Sequence, residues 1–131
     1  MWGHANGNWN VLFGDDLPSE DAWLVVMTNQ RALLDTELEN IHFTDKKPKE
    51  VLEMISKRGF SEVILAGGEK LNASFLKEDL IDEIRIIVKP LVIGTGKSLF
   101  GENESIQKFA FSKSELLGNG SIELIFNKKF T

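Results

Sequence analysis

A chain of 131 residues, 42% hydrophobic and 27% charged, has the length and balance of one globular domain, able to bury a single core but not two. Its formal charge of −5 argues against a general affinity for nucleic acid or for an anionic membrane, because both need a basic surface. It has no cysteine, which excludes disulfides, thiolate nucleophiles and thiolate zinc sites.

The N-terminus, from Met1 to Trp9, has neither a basic start nor a continuous apolar stretch, so a cytoplasmic place without a membrane segment is the expectation. The opening segment to Asp21 is rich in Gly, Asn and Asp without a period, and reads as loop. Trp23-Leu24-Val25-Val26-Met27-Thr28 is a short apolar run with β-branched members. That is the pattern of a strand buried on both faces, closed by the polar Asn29-Gln30-Arg31. A second short strand is expected over residues 41–44.

Residues 48–58 have helical spacing: Val51, Leu52 and Ile55 share a stripe, while Lys49, Glu53 and Lys57 point away. Pro48 suits the first turn and Gly59 the exit. Val63-Ile64-Leu65-Ala66, stopped by Gly67-Gly68, predicts an interior strand, parallel to the preceding one across a right-handed helical crossover. Helical spacing returns over residues 69–78 through Leu71, Phe75 and Leu76. In Ile84-Arg85-Ile86-Ile87-Val88-Lys89, positions 84, 86 and 88 share one face of a strand, and Pro90 ends regular pairing. Strands over residues 109–117 and 122–130, joined by Gly118-Asn119-Gly120, predict an antiparallel hairpin. The expected architecture is one α/β domain over residues 1–131: a mixed, mostly parallel sheet flanked by helices, with a C-terminal antiparallel β-hairpin.

The sharpest local feature is the apolar run that turns through two glycines straight into a helix. The first amides of a helix lack intrahelical partners and carry the positive end of its dipole, so they can hold a phosphate. Two residues without side chains let such a ligand come close. Ala66, Gly67, Gly68, Glu69, Lys70 and Leu71 are therefore the candidate anion-binding set. The Glu69 carboxylate must then point away from a phosphate, and Lys70 partly offsets its charge. A tight strand-to-helix turn also needs glycine for steric reasons whatever it binds, and that reading stands beside the first.

Thr28-Asn29-Gln30-Arg31 lies at the C-terminal end of the first strand, where open α/β sheets place their ligands. Arg31 can pair a 2′-phosphate while Thr28 and Asn29 supply neutral hydrogen bonds, a set that selects NADP over NAD. A solvated loop with an exposed arginine is the alternative. Pro90-Leu91-Val92-Ile93-Gly94-Thr95-Gly96-Lys97-Ser98-Leu99-Phe100 lacks the spacing of an ATP- or GTP-binding loop and reads as a plain loop. His4 and His42 have no partner motif, so neither is assigned to catalysis or to a metal, and no catalytic residue is assigned.

Taken together and in this order, three stretches resemble the riboflavin-biosynthesis reductase (RibD C-terminal) family, a branch of the dihydrofolate reductase superfamily. They are Val63-Ile64-Leu65-Ala66-Gly67-Gly68-Glu69-Lys70-Leu71-Asn72-Ala73-Ser74-Phe75-Leu76, Leu80-Ile81-Asp82-Glu83-Ile84-Arg85-Ile86, and the run from Pro90 to Phe100 just quoted. The resemblance covers residues 23–131. It implies a dihydrofolate-reductase-like fold, NADPH as hydride donor and a small pteridine- or pyrimidine-like heterocycle as substrate. It further implies that Gly67-Gly68 faces the cofactor pyrophosphate, that the loop over residues 28–31 lies near the adenosine 2′-phosphate, and that the strand after Asp82-Glu83 helps form a homodimer.

Members of the family begin with an apolar strand and then a helix whose Gly-Arg-x-Thr start joins the cofactor site. This sequence shows neither, and Met1-Trp2-Gly3-His4 looks like the middle of that region. The expectation is an N-terminally shortened member with a sheet edge or apolar face left uncovered, a surface that favours self-association. Three functions follow from this: a reductase passing hydride from the nicotinamide to a flat heterocycle, a degenerate or truncated dinucleotide-binding module without turnover, or assembly through the sheet edge with no nucleotide bound.

Overall fold

A strand whose side chains are apolar at every position needs cover on both faces, and the chain supplies it around residues 24–27. The computed structural model describes residues 2–3, 23–102, 104 and 106–129. Strands β1 (Trp2–Gly3), β2 (Leu24–Met27) and β3 (Ile41–Thr44) form a parallel sheet with β2 in the centre. Val25 enters one buried cluster with Val51, Ile55, Leu71 and Phe75, while Leu24 and Val26 enter a second with Phe43. Alternation along the strand sends neighbours to opposite faces, so the continuous apolar run is what a central parallel strand requires.

The loop expected over the opening segment is corrected at Trp2 and Gly3, which pair with Val26 and Met27. A ladder this short is imposed by its neighbour and leaves no period in the sequence. The rest of that segment lies outside the described residues, as does the end of the last expected strand at Phe130. A single turn of helix, α1 (Arg31–Leu34), begins the connection between β2 and β3, the kind of crossover that parallel neighbours need.

Helix α2 (Pro48–Lys57) has Pro48 in its first turn, where a missing N–H costs nothing. The Lys47 amide donates to Glu50 Oε2 at 3.0 Å, half of a capping box. Its buried stripe is Val51 and Ile55, and the chain leaves through Gly59 at φ +96°. Helix α3 (Glu69–Lys77) buries Leu71, Phe75 and Leu76. Both helices thus pack their apolar stripes against Val25.

The interior strand expected at Val63-Ile64-Leu65-Ala66 is not formed: the segment belongs to neither sheet, so the expected crossover from residues 41–44 has no receiving strand. Val63 and Leu65 pack against the core while Ile64 is 62% exposed. Apolar composition reports that one side of a segment meets a core, whereas a ladder depends on a neighbouring backbone, which composition does not encode.

Strands β4 (Glu83–Val88), β5 (Phe109–Leu116) and β6 (Ile122–Lys128) form an antiparallel sheet in the order β4-β6-β5. The mixed α/β class and the C-terminal hairpin are as expected. The hairpin closes with Leu117 N–H donating to Ser121 O at 2.8 Å, Gly120 at φ +80°, and Asn119 Oδ1 accepting from the Ser121 amide at 3.1 Å. Lys128 ties β6 to the turn after α3 through an ion pair with Asp79 at 2.9 Å. On β4, Arg85 Nε donates to Glu83 Oε1 at 2.6 Å, which holds the guanidinium above its ordinary value; the pair is exposed and contributes little to stability.

Removing the ring of Phe75, which is 2% exposed, is expected to lower the unfolding free energy by about 3–5 kcal/mol, as for other buried aromatics cut to alanine. Val92→Ala, at a fully exposed position, is expected to stay within about 0.5 kcal/mol of the parent. Urea unfolding followed by tryptophan fluorescence measures both.

Candidate functional site

Where β2 and β3 leave the core, two threonines behave alike. Thr28 is 9% exposed and Thr44 is 4% exposed. The Thr28 amide donates to Thr44 O at 2.9 Å, extending the parallel ladder just past β2. Thr28 Oγ1 accepts from the Gln30 amide at 3.1 Å, and Thr44 Oγ1 accepts from the Lys46 amide at 3.2 Å. Each hydroxyl therefore turns its own chain back as the strand ends. Between the two turns opens a cavity of about 150 Å³ lined by Met27, Thr28, Asn29, Thr44, Asp45 and Lys46. That space is smaller than the roughly 300–1,000 Å³ of a site for a whole drug-sized ligand.

Asn29 is exposed at this rim, and Arg31 is exposed at the start of α1. Thr44, Asp45 and Lys46 were missing from the residues singled out in the sequence. Their signal is the parallel register that seats Met27 opposite Thr44, which is visible only once the two strand ends are laid side by side.

The second group surrounds the start of α3. Gly67 is buried with φ +88°, its bond to Gly68 is cis, and Gly68 is the N-cap of the helix at φ −78°. No side chain caps this end. The two glycines answer to different constraints. Gly67 adopts a backbone conformation that disfavours a Cβ, and a Cβ there would also lie 3.3 Å from Asn72 Nδ2. Gly68 has an ordinary negative φ, and a Cβ there would meet nothing within 4 Å. The steric account of the turn thus explains Gly67, whereas Gly68 borders open space above the first amides of a helix, where an anion is favoured.

Ala66, Gly68 and Lys70 are exposed, and Glu69 is half-buried. Leu71 is buried in the core cluster, so it offers a ligand only its backbone. The run from Pro90 to Phe100 is irregular, as expected, and its far end docks on α3: Asn72 Nδ2 donates to Leu99 O at 2.9 Å. Farther along α3, the side-chain amide of Gln107 donates to Leu76 O. His42 lies in β3 with its ring 5.6 Å from that of Trp23, over which Arg58 stacks at 4.1 Å, so its surroundings are those of a packed surface aromatic cluster. His4 lies outside the described residues.

These elements define a class: an α/β domain of the dihydrofolate-reductase-like kind, with strand ends and a glycine turn opening a helix as its candidate binding features. Residues 13–122 match the RibD C-terminal domain, and the chain belongs to that family. It is 31% identical over 80 residues to the uncharacterized protein YwjB of Bacillus subtilis (strain 168), covering 61% of this chain and 46% of that one. It is 23% identical over 113 residues to YyaP, an uncharacterized protein of the same organism, covering 82% and 60%. The chain thus spans about half of the length of these curated relatives.

Among solved structures it resembles a proposed riboflavin biosynthesis protein from Shewanella sp. PV-4, with TM-score 0.77, 28% identity, and coverage of 98% of this chain and 72% of that one. A diaminohydroxyphosphoribosylaminopyrimidine deaminase/5-amino-6-(5-phosphoribosylamino)uracil reductase from Thermotoga maritima shares the fold, with TM-score 0.61, 18% identity, and coverage of 84% and 32%.

The difference between the two glycines is open to measurement. Gly67→Ala is expected to lower stability by about 1–2 kcal/mol through its left-handed backbone, while Gly68→Ala is expected to stay within about 0.5 kcal/mol. Equal losses in chemical denaturation would contradict the assignment of open space to Gly68.

Proposed function

We propose that this domain binds NADPH and presents its nicotinamide to a flat pteridine- or pyrimidine-like heterocycle for hydride transfer. The observation that carries the reading is the open space at Gly68 above an uncapped helix start. A diphosphate fits there: the amides from Gly68 to Leu71 hold its oxygens, and the helix dipole favours its charge. The adenosine end goes to the strand-end cavity, with Thr28 and Asn29 as neutral partners and Arg31 as the cation for a 2′-phosphate. NADPH supplies the hydride, and the chain's own residues bind and orient it. Lys70, exposed beside Glu69, offsets the nearby carboxylate. No proton-transfer role falls on a described residue.

Among the described residues no helix is long and apolar enough to cross a membrane, and a cytoplasmic place is part of the same proposal. So is a homodimer that covers the apolar side of the antiparallel sheet. Val88 on β4, Phe111 and Leu116 on β5 and Ile122 on β6 share that side and are exposed, together with Leu91 and Val92 just beyond β4. A single-chain surface seldom leaves such a group uncovered.

Fluorescence titration is expected to show tighter binding of NADPH than of NADH. Gly68→Val weakens both cofactors, and Arg31→Ala narrows the preference roughly tenfold, as loss of one charged phosphate contact does. Undiminished affinity in the Gly68 variant rejects the diphosphate site. Binding without oxidation across pterins, flavins and ribosylaminopyrimidines favours a binding module without turnover.

Sedimentation analysis is expected to give a dimer for the parent. For the double variant Val88→Lys/Phe111→Lys the expected species is a monomer.

A further inference from the structure

Asn72 sits in α3 just after the glycine turn, and the cofactor reading gives its side chain no task. Its Nδ2 donates to Leu99 O at 2.9 Å, across a separation of 27 residues. The same amide group lies against Gly67: a Cβ there would stand 3.3 Å from Nδ2 and 3.6 Å from Oδ1. Its backbone N–H donates to Gly68 O at 2.9 Å, the first hydrogen bond of the helix. One residue therefore touches the buried glycine, the N-cap and the loop over residues 94–101.

Few other hydrogen bonds among the described residues hold that loop. Ile93 and Leu99 are exposed, and the bond from Ser98 Oγ to Gly101 O, at 3.4 Å, is internal to it. Gly101, at φ +62°, comes close enough to α3 that a Cβ would lie 3.8 Å from Glu69 O and 3.9 Å from the Ala73 Cβ. The far end of the loop thus rests beside the first turn of α3. Phe100 is half-buried at this end of the loop, and among the described residues the Asn72 bond is the side-chain hydrogen bond that reaches the loop from α3.

We propose that Asn72 is a positioning residue that fixes the Gly67-Gly68 turn and the loop over residues 94–101 in one register, making the loop a wall beside the amides that receive the diphosphate. The wall rests on the cofactor reading given above; the tether itself does not.

Two variants separate bulk from bonding. Asn72→Ala removes both, and Asn72→Leu keeps a similar volume under Gly67 without the donor. In each, the backbone NMR order parameters over residues 98–101 are expected to fall from about 0.85, a held segment, to below about 0.6, a flexible one. Order parameters in β2 and β6 are expected to stay at parent values. Unchanged order parameters in the loop of both variants overturn the proposal whether or not a nucleotide binds.

The same proteins are then titrated with NADPH and with adenosine 2′-monophosphate, which has no diphosphate. A roughly tenfold weaker grip on NADPH with unaltered binding of the monophosphate supports the wall. Equal losses for both ligands, or no loss for NADPH, overturn it. A parent chain that binds neither ligand sinks the cofactor reading, and the order parameters then decide the tether alone.

Discussion

Burial of β2 on both faces is the constraint from which the rest of the parallel half follows. Val25 is shared with the stripes of α2 and α3, while Leu24 and Val26 are shared with Phe43 and the half-buried Leu33 and Ile41. A strand enclosed in this way has no place for polar side chains along its length. They collect where it emerges, and because β3 runs parallel at matched register, Thr28 emerges beside Thr44. The candidate adenosine cavity is thus a product of packing: two strand ends turned back by their own hydroxyls leave a recess between them.

The glycine turn obeys a different logic. Gly67 is required by backbone shape and by the amide of Asn72 pressed against it, so it says little about ligands. Gly68 is required by neither, and its freedom gives the functional reading its weight. Family membership agrees with a reductase domain, but the relatives in Bacillus subtilis are longer than the matched region. The activity proposed for this chain therefore rests on its own helix start and strand ends.

Elements governed by local rules were legible in the sequence. Residues 41–44 formed the expected strand, Pro48 opened its helix, and Gly118-Asn119-Gly120 closed its hairpin, because period and turn chemistry are properties of neighbouring residues. Val63-Ile64-Leu65-Ala66 misled because its alternate residues do reach the core, Val63 and Leu65 among them, while the missing ladder depends on a distant backbone. The same division runs through the candidate site. Thr28 and Gly67-Gly68 announce themselves by their place after an apolar run. Lys46 and Asn72 gain meaning only through strand register and through a loop far along the chain.

The two borders of the antiparallel sheet are not equivalent. Register with β6 slips between Phe111 and Lys113 on β5, whereas β4 keeps unbroken register with β6 from Glu83 to Val88. An irregular border resists the addition of another chain, while a regular one accepts it. Among the described residues β4 pairs with β6 alone. If two copies meet border to border along β4, the regular margin of each antiparallel sheet is covered by the other, and that sheet is left with only its irregular border at β5.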